Sequence, residues 1–168
     1  MMMFWTEIKS WRRDIALGAL AIVAVLAASF AGQLATYPNL TPWYALLNKP
    51  SFTPPGWVFA QVWSTLYALM AYGVWRILRM REESPTRSAA LILFFVQLAL
   101  NAAWSWMFFA AHSPLLGLLN IIPQFVVILF AVRAFWKINT IAALCLAPLA
   151  VWVAFATVLN FSIWRMNS

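Results

Sequence analysis

Gln97, Asn101, Trp104 and Phe108 stand at i, i+4, i+7 and i+11 of one apolar stretch, a spacing that lines them along a single helical face. An amide set among hydrocarbon side chains needs a partner, either a neighbouring helix or a ligand. Trp63, Tyr67 and Met70 share a face of an earlier apolar stretch. In the last one Trp152, Ala156 and Asn160 follow at i+4 steps, with Leu159 beside them. Flat π faces, one small residue that leaves room, and a few donors and acceptors suit a large, planar, mainly apolar ligand. The competing reading is structural. Mid-span Asn and Gln often tie helices together, and Trp near helix ends belongs to the interfacial belt, where Trp5, Trp11, Trp43, Trp75, Trp136 and Trp164 are assigned.

Other chemistries find little support. One histidine, His112, and one cysteine, Cys145, cannot supply a three- or four-ligand metal set, so no metal site is expected. Haem ligation by His112 competes with the plainer reading of a solvated loop histidine. The four acids, Glu7, Asp14, Glu82 and Glu83, all fall outside the apolar runs, which leaves no Ser-His-Asp arrangement. It also argues against a pump or proton-coupled carrier, which needs ionisable groups at membrane depth.

The elements that must position these residues are membrane helices. The chain has 168 residues, 65% hydrophobic and 9% charged, against about 25% charged in soluble domains. Its apolar runs are near the roughly 20 residues that cross a hydrocarbon core. The expected fold is all-α: one domain over 15–168, an integral membrane bundle of five transmembrane helices at about 15–35, 57–78, 88–110, 115–136 and 140–164. A basic extension, 1–14, precedes it. The run from Ile15 is too long for a signal-peptide core of roughly 7–15 residues. Pro123 and Pro148 fall inside two of the spans, where a neighbouring helix can satisfy the freed carbonyl. The loop 36–56 carries Pro38, Pro42, Pro50, Pro54 and Pro55, followed by Gly56, residues that fix turns. It reads as a lid that leads straight into the helix bearing Trp63.

The net charge of +7 is a topology signal. Nine of the eleven basic residues fall on the side of the N-terminus, and only Lys49 and Arg165 on the other. By the positive-inside rule the N-terminus is cytoplasmic and the proline-rich loop faces out. No basic stripe with a recognition motif is present, so no nucleic-acid partner is expected.

Four motifs carry a resemblance. WYALLNKPSFTPPGWVF, VWSTLYALMAYG, QLALNAAW and PLAVWVAFATVLNFSIWR, in that order, resemble the TspO/MBR family, across roughly residues 15–166. Its members are called tryptophan-rich sensory proteins in bacteria and translocator protein, or peripheral benzodiazepine receptor, in animals. The resemblance implies a five-helix bundle, commonly a homodimer, with a pocket near the first loop. It also implies porphyrins such as protoporphyrin IX as ligand, with no cofactor required. By motif, Trp63 and Asn101 resemble the pocket pair that faces a ligand's polar group. Trp152 resembles the tryptophan implicated in porphyrin binding and its light-dependent breakdown, so Trp63 and Trp152 would be the catalytic residues if breakdown occurs. Ala156, Leu159 and Asn160 match the small residue and the LN pair after it. Two positions depart from the animal pattern: Phe161 replaces the tyrosine of the sterol motif, and Leu116 a tryptophan of the fourth helix.

The function so implied is a receptor-like protein for tetrapyrroles in a bacterial cell membrane, in porphyrin handling, stress response or regulation. The rivals are an enzyme degrading protoporphyrin with light and oxygen, and a tetrapyrrole or sterol transporter. The charge bias gives a test. In a Cys145→Ala background, a cysteine replacing Asn39 should react with impermeant thiol reagents on intact cells, and one replacing Ser84 should be shielded. The reverse pattern would overturn the orientation.

Overall fold

Three helices start on short polar side chains. Ser84, Ser113 and Asn139 each accept a hydrogen bond from the backbone N–H three residues on, at 3.2, 3.2 and 2.9 Å. Each thereby satisfies one of the donors a helix start leaves free. Pro85 and Pro114 follow at a first helical position, where the missing N–H costs nothing. These caps open α3 (Pro85–Ser105), α4 (Pro114–Trp136) and α5 (Thr140–Met166), which α1 (Met2–Thr36) and α2 (Gly56–Leu78) precede. This computed structural model describes the backbone of residues 2–80 and 84–168 and the side chains of 11–80 and 84–168. The side chains of Trp5, Glu7 and Lys9, and residues Arg81, Glu82 and Glu83, lie outside the described residues.

The five described helices close into a ring in the order α1, α2, α5, α4, α3, each packed against two neighbours. The described residues contain no strand. Four segments, Trp11–Tyr44, Pro85–Ala110, Pro114–Trp136 and Thr140–Met166, are long and apolar enough to cross a membrane. α2 is as long as α4 but carries Gln61, Ser64, Thr65, Tyr67 and Arg76. Ser64 and Thr65 turn their hydroxyls onto the helix itself, donating to the carbonyls of Ala60 and Gln61, and Tyr67 faces inward to Asn101.

The boundaries differ from expectation where polar residues continue a helix. α1 is helical from Met2, through the basic stretch read as an extension. α3 starts at Pro85 rather than 88 because Ser84 caps it. Its last turn, Trp106–Ala110, widens to a π turn and ends at His112, whose φ of 50° turns the chain back. The loop is also more ordered than its prolines suggest. It continues α1 as a short turn, Tyr37–Asn39, kinks at extended Thr41, and makes one more helical turn before the extended stretch to Pro55. α4 and α5 run unbroken through Pro123 and Pro148.

The main core fills the half of the ring on the side of the N-terminus. Met70, Phe94, Ile128, Phe135 and Leu149 are fully enclosed there, and Phe94 stacks on Phe135 with centroids 6.0 Å apart. That end is tied by polar bonds. Trp75 Nε1 donates to the Asp14 carbonyl at 2.8 Å, Arg79 pairs with the Asp14 carboxylate at 3.4 Å, and Arg87 donates to the last carbonyls of α2, Ile77 and Leu78. A smaller cluster of Phe108, Phe109, Leu159 and Ile163 sits under the loop residues Leu40, Trp43, Tyr44 and Leu47. Between the two clusters the ring is not filled.

Gly117 is where α4 comes closest to its neighbours. A Cβ there would lie 2.9 Å from both Asn160 Oδ1 and Phe108 Cδ2, and 3.1 Å from Phe108 Cβ. Gly117→Ala should therefore cost about 1–3 kcal/mol, the usual range for overpacking. The expected result is a lower thermal unfolding midpoint in detergent. An unchanged midpoint would mean that the α3–α4 turn is not tightly packed.

Candidate ligand cavity

The space left inside the ring is a cavity of about 470 Å³, within the range of small-molecule sites. All five helices and the loop wall it. Its depth follows from helix geometry. Tyr67, Asn101, Gln124 and Trp152 all border it, and they stand two and a half to four turns from the loop-side ends of their helices. At 1.5 Å per residue that places the floor on the order of 14–21 Å below those ends. A ligand reaching it would lie well inside the hydrocarbon.

Nine of the ten residues singled out in the sequence meet here: Trp63, Tyr67, Asn101, Trp104, Phe108, Trp152, Ala156, Leu159 and Asn160. Trp63 and Tyr67 lie nearly side by side, with centroids 5.5 Å apart. The Tyr67 hydroxyl donates to Asn101 Oδ1 at 2.8 Å, which leaves the Asn101 Nδ2 group to donate to an occupant. Asn160 is committed differently. Its Oδ1 accepts from Trp104 Nε1 at 3.0 Å, and its Nδ2 donates to the Pro114 carbonyl at 2.8 Å, so one side chain joins α3, α5 and the start of α4. Trp104 in turn stacks on Phe108, with centroids 4.9 Å apart.

The tenth residue, Gln97, does not border the cavity. It lies one turn further along α3, wholly buried, with Nε2 3.6 Å from Met70 Sδ and Oε1 without a partner. Helical spacing puts it on the stripe, but the narrowing of the ring toward the main core closes over it. Conversely, several wall residues escaped the sequence reading. α1 contributes Ser29, Gly32 and Gln33, the loop Lys49, α2 Phe59 and α4 Gln124. Three of these, Ser29, Gln33 and Gln124, left a signal. Ser29 and Gln33 are an i, i+4 polar pair in an aliphatic run, hydrogen-bonded at 3.0 Å. Asn120 and Gln124 repeat that spacing in α4.

Trp152 is the thinnest part of the wall. Its ring packs against Phe59 and Phe155, at 5.6 and 5.3 Å, and its Nε1 is buried without a partner. It borders both the inner cavity and an open groove of about 780 Å³ on the outside of the α2–α5 seam. That groove is lined mainly by apolar side chains such as Val62, Leu66, Leu144 and Val151, with Gln61 and Thr65 among them.

The loop covers the other end. Asn48 and Asn167 exchange backbone and side-chain hydrogen bonds at 2.9 Å in both directions, which fixes the loop to the end of α5. Trp43 stacks on His112 at 4.8 Å, and His112 Nε2 lies 2.7 Å from Asn39 Oδ1. Thus Trp43 and His112, read from sequence as belt and solvated loop, form a latch between the loop and the α3–α4 turn. Among the described residues no three His, Cys, Asp or Glu side chains come together to hold a metal.

The architecture is that of a helical membrane bundle with an aromatic-walled internal cavity under a clamped, proline-rich loop. The sequence comparisons give the family: the profile of the TspO/MBR family matches residues 20–165, and the chain belongs to that family. It is 37% identical over 149 residues to the tryptophan-rich protein TspO of Chlorobaculum tepidum, covering 89% of this chain and 94% of that one. It is 37% identical over 141 residues to the translocator protein of Homo sapiens, covering 82% of each. Against the tryptophan-rich sensory protein of Cereibacter sphaeroides it is 32% identical over 125 residues, 74% of this chain and 77% of the other. With its apolar helices, this makes it a multi-pass membrane protein.

The two cavity asparagines should separate in experiment. Asn160→Ala orphans the Trp104 indole and the Pro114 carbonyl, so its main effect should be lost stability, about 1–3 kcal/mol. Asn101→Ala orphans only the Tyr67 hydroxyl, which can turn to the cavity. Thermal unfolding of both variants checks this, and a larger loss for Asn101→Ala would reverse the assignment.

Proposed function

We propose that the protein is a receptor-like binder of porphyrins, protoporphyrin IX among them, and of related planar hydrophobic ligands. The observation that carries this reading is the cavity itself: a deep space walled by Trp63, Tyr67, Trp104, Phe108 and Trp152, with the Asn101 amide held by Tyr67. Flat rings on several walls suit a flat apolar ligand, and a single oriented amide can fix its polar group. Such binding serves tetrapyrrole handling, stress response or regulation. All five helices cross the membrane in this reading, α2 included, with the N-terminus in the cytoplasm of a bacterial cell. The exposed apolar faces of α1 and α4 then meet lipid or, in a homodimer, a second copy.

Light- and oxygen-dependent degradation of protoporphyrin is the second reading. Three oxidisable indoles, Trp63, Trp104 and Trp152, border the cavity, and no His, Cys, Asp or Glu does among the described residues. Any such chemistry starts from the excited ligand rather than from a protein acid–base pair.

Titration of protoporphyrin by tryptophan fluorescence quenching tests the binding reading. Asn101→Ala should weaken affinity by about 5- to 150-fold, the equivalent of about 1–3 kcal/mol. Undiminished affinity would remove the site from this cavity. Trp152→Phe keeps an aromatic wall and should cost only about 0.5–1.5 kcal/mol of binding. Phenylalanine is far harder to oxidise, so bleaching of the porphyrin band under illumination should fall much more than occupancy. A wild type that bleaches porphyrin no faster than detergent alone eliminates the second reading and leaves the first intact.

A further inference from the structure

Five side chains are the buried polar groups among the described residues: Gln97, Asn101, Asn120, Gln124 and Asn160. Asn160 is fully used by structure and Asn101 is half used. Gln97 and Asn120 have unpartnered oxygens but do not border the cavity. Gln124 alone combines the two features: it is 2% exposed, borders the floor, and its Nε2 has no partner. An aliphatic side chain at this position of α4 would avoid that cost, as its neighbours Ile121 and Ile128 do. The Trp152 indole, on the same floor, also lacks a partner for its N–H.

The mouth has a second unused group. Lys49 borders the cavity, and its Nζ donates to the carbonyls of Leu47 and Ala45 at 2.9 and 3.3 Å, above the Tyr44 ring at 4.7 Å. An ammonium has three N–H donors, so one remains. The ion pair among the described residues, Asp14 with Arg79, is at the opposite end of the bundle. No described carboxylate side chain answers Lys49.

We propose that Gln124 and Lys49 read opposite ends of the occupant, Gln124 a carbonyl oxygen on its deep edge and Lys49 a carboxylate at the mouth. This rests on the porphyrin reading and narrows it to planar acids that bear a carbonyl on the edge opposite their carboxylates. A glutamine amide can present nitrogen or oxygen, but the Trp152 and Lys49 groups can only donate. The Asn101 Nδ2 group is a donor too, and Gln124 joins them when its amide is turned to present nitrogen to the cavity. The matching ligand groups are therefore acceptors. The strongest acceptor, a carboxylate, belongs at the half-exposed mouth, because carrying an ion to the floor means stripping its water without a counter-charge. A neutral carbonyl can reach the floor.

Three porphyrins isolate the two contacts: protoporphyrin IX, its dimethyl ester, and diacetyldeuteroporphyrin IX, in which acetyl groups replace the vinyls opposite the propionates. Each is titrated by fluorescence quenching against wild type, Gln124→Leu, Gln124→Met, Lys49→Met and Lys49→Arg. Wild type should favour the diacetyl compound over protoporphyrin by about 3- to 10-fold, the range of one neutral hydrogen bond. Both Gln124 variants should abolish that preference. Wild type should favour the diacid over the diester by about 10-fold, a ratio lost in Lys49→Met and kept in Lys49→Arg. The thermal midpoint of Gln124→Leu should equal or exceed that of wild type, since an unpaired amide is removed. If either ratio is the same in wild type and in the variant meant to erase it, the polarised assignment is overturned, while porphyrin binding stands. If wild type binds none of the three, the porphyrin reading fails and the assignment with it.

Discussion

A polar side chain inside hydrocarbon has no water to fall back on, so each one must be answered by the protein or by something the protein holds. This constraint organises the bundle. Every buried polar side chain among the described residues is an uncharged amide, and the charged ones that are described collect at the ends. Asn160 is answered from two directions and becomes a joint between α3, α4 and α5. Asn101 is answered on one side by Tyr67. Gln124 is left partly unanswered beside open space. Gln97 and Asn120 also keep unpartnered oxygens but lie in the packed interior, so it is the open space beside Asn101 and Gln124 that lets something other than the protein answer them.

The same logic explains the loop. A cavity this deep stays open only if the helix ends around it are held apart and covered. The Asn48–Asn167 pair holds the loop to α5, and Trp43 on His112, with Asn39, holds it to the α3–α4 turn. At the other end the Asp14, Trp75, Arg79 and Arg87 contacts bind α1, α2 and α3 together. The cavity is thus bracketed by two ends tied with polar and stacking contacts. Trp152 stands where that bracket is thinnest, with the cavity on one side and a lipid-facing groove on the other.

Much of this was legible in the sequence because membrane helices leave strong periodic signals. Runs of about 20 apolar residues gave the helices, and Gln97-Asn101-Trp104-Phe108 gave a face. What spacing could not give was depth. Gln97 lies on the right face but below the floor, since only the packing of Met70 and its neighbours decides where the cavity stops. Lys49 reads from sequence only as part of the lid, and Gln124, with Asn120 one turn before it, as helix glue; each becomes specific only when its missing partner can be seen. The loop's helical turns were masked by its prolines, although Leu40, Trp43, Tyr44 and Leu47 carry the apolar spacing that packs them on Phe108 and Phe109.

The central claim is that the occupant sits inside the ring and not on its lipid-facing surface. Crystals grown with zinc protoporphyrin, measured at the zinc absorption edge, test it most directly, because the anomalous signal marks the ring centre regardless of how well the rest is ordered. The account predicts one peak inside the cavity, bordered by Trp63, Asn101 and Trp152. A peak in the outer groove of the α2–α5 seam, with the interior empty, would contradict it.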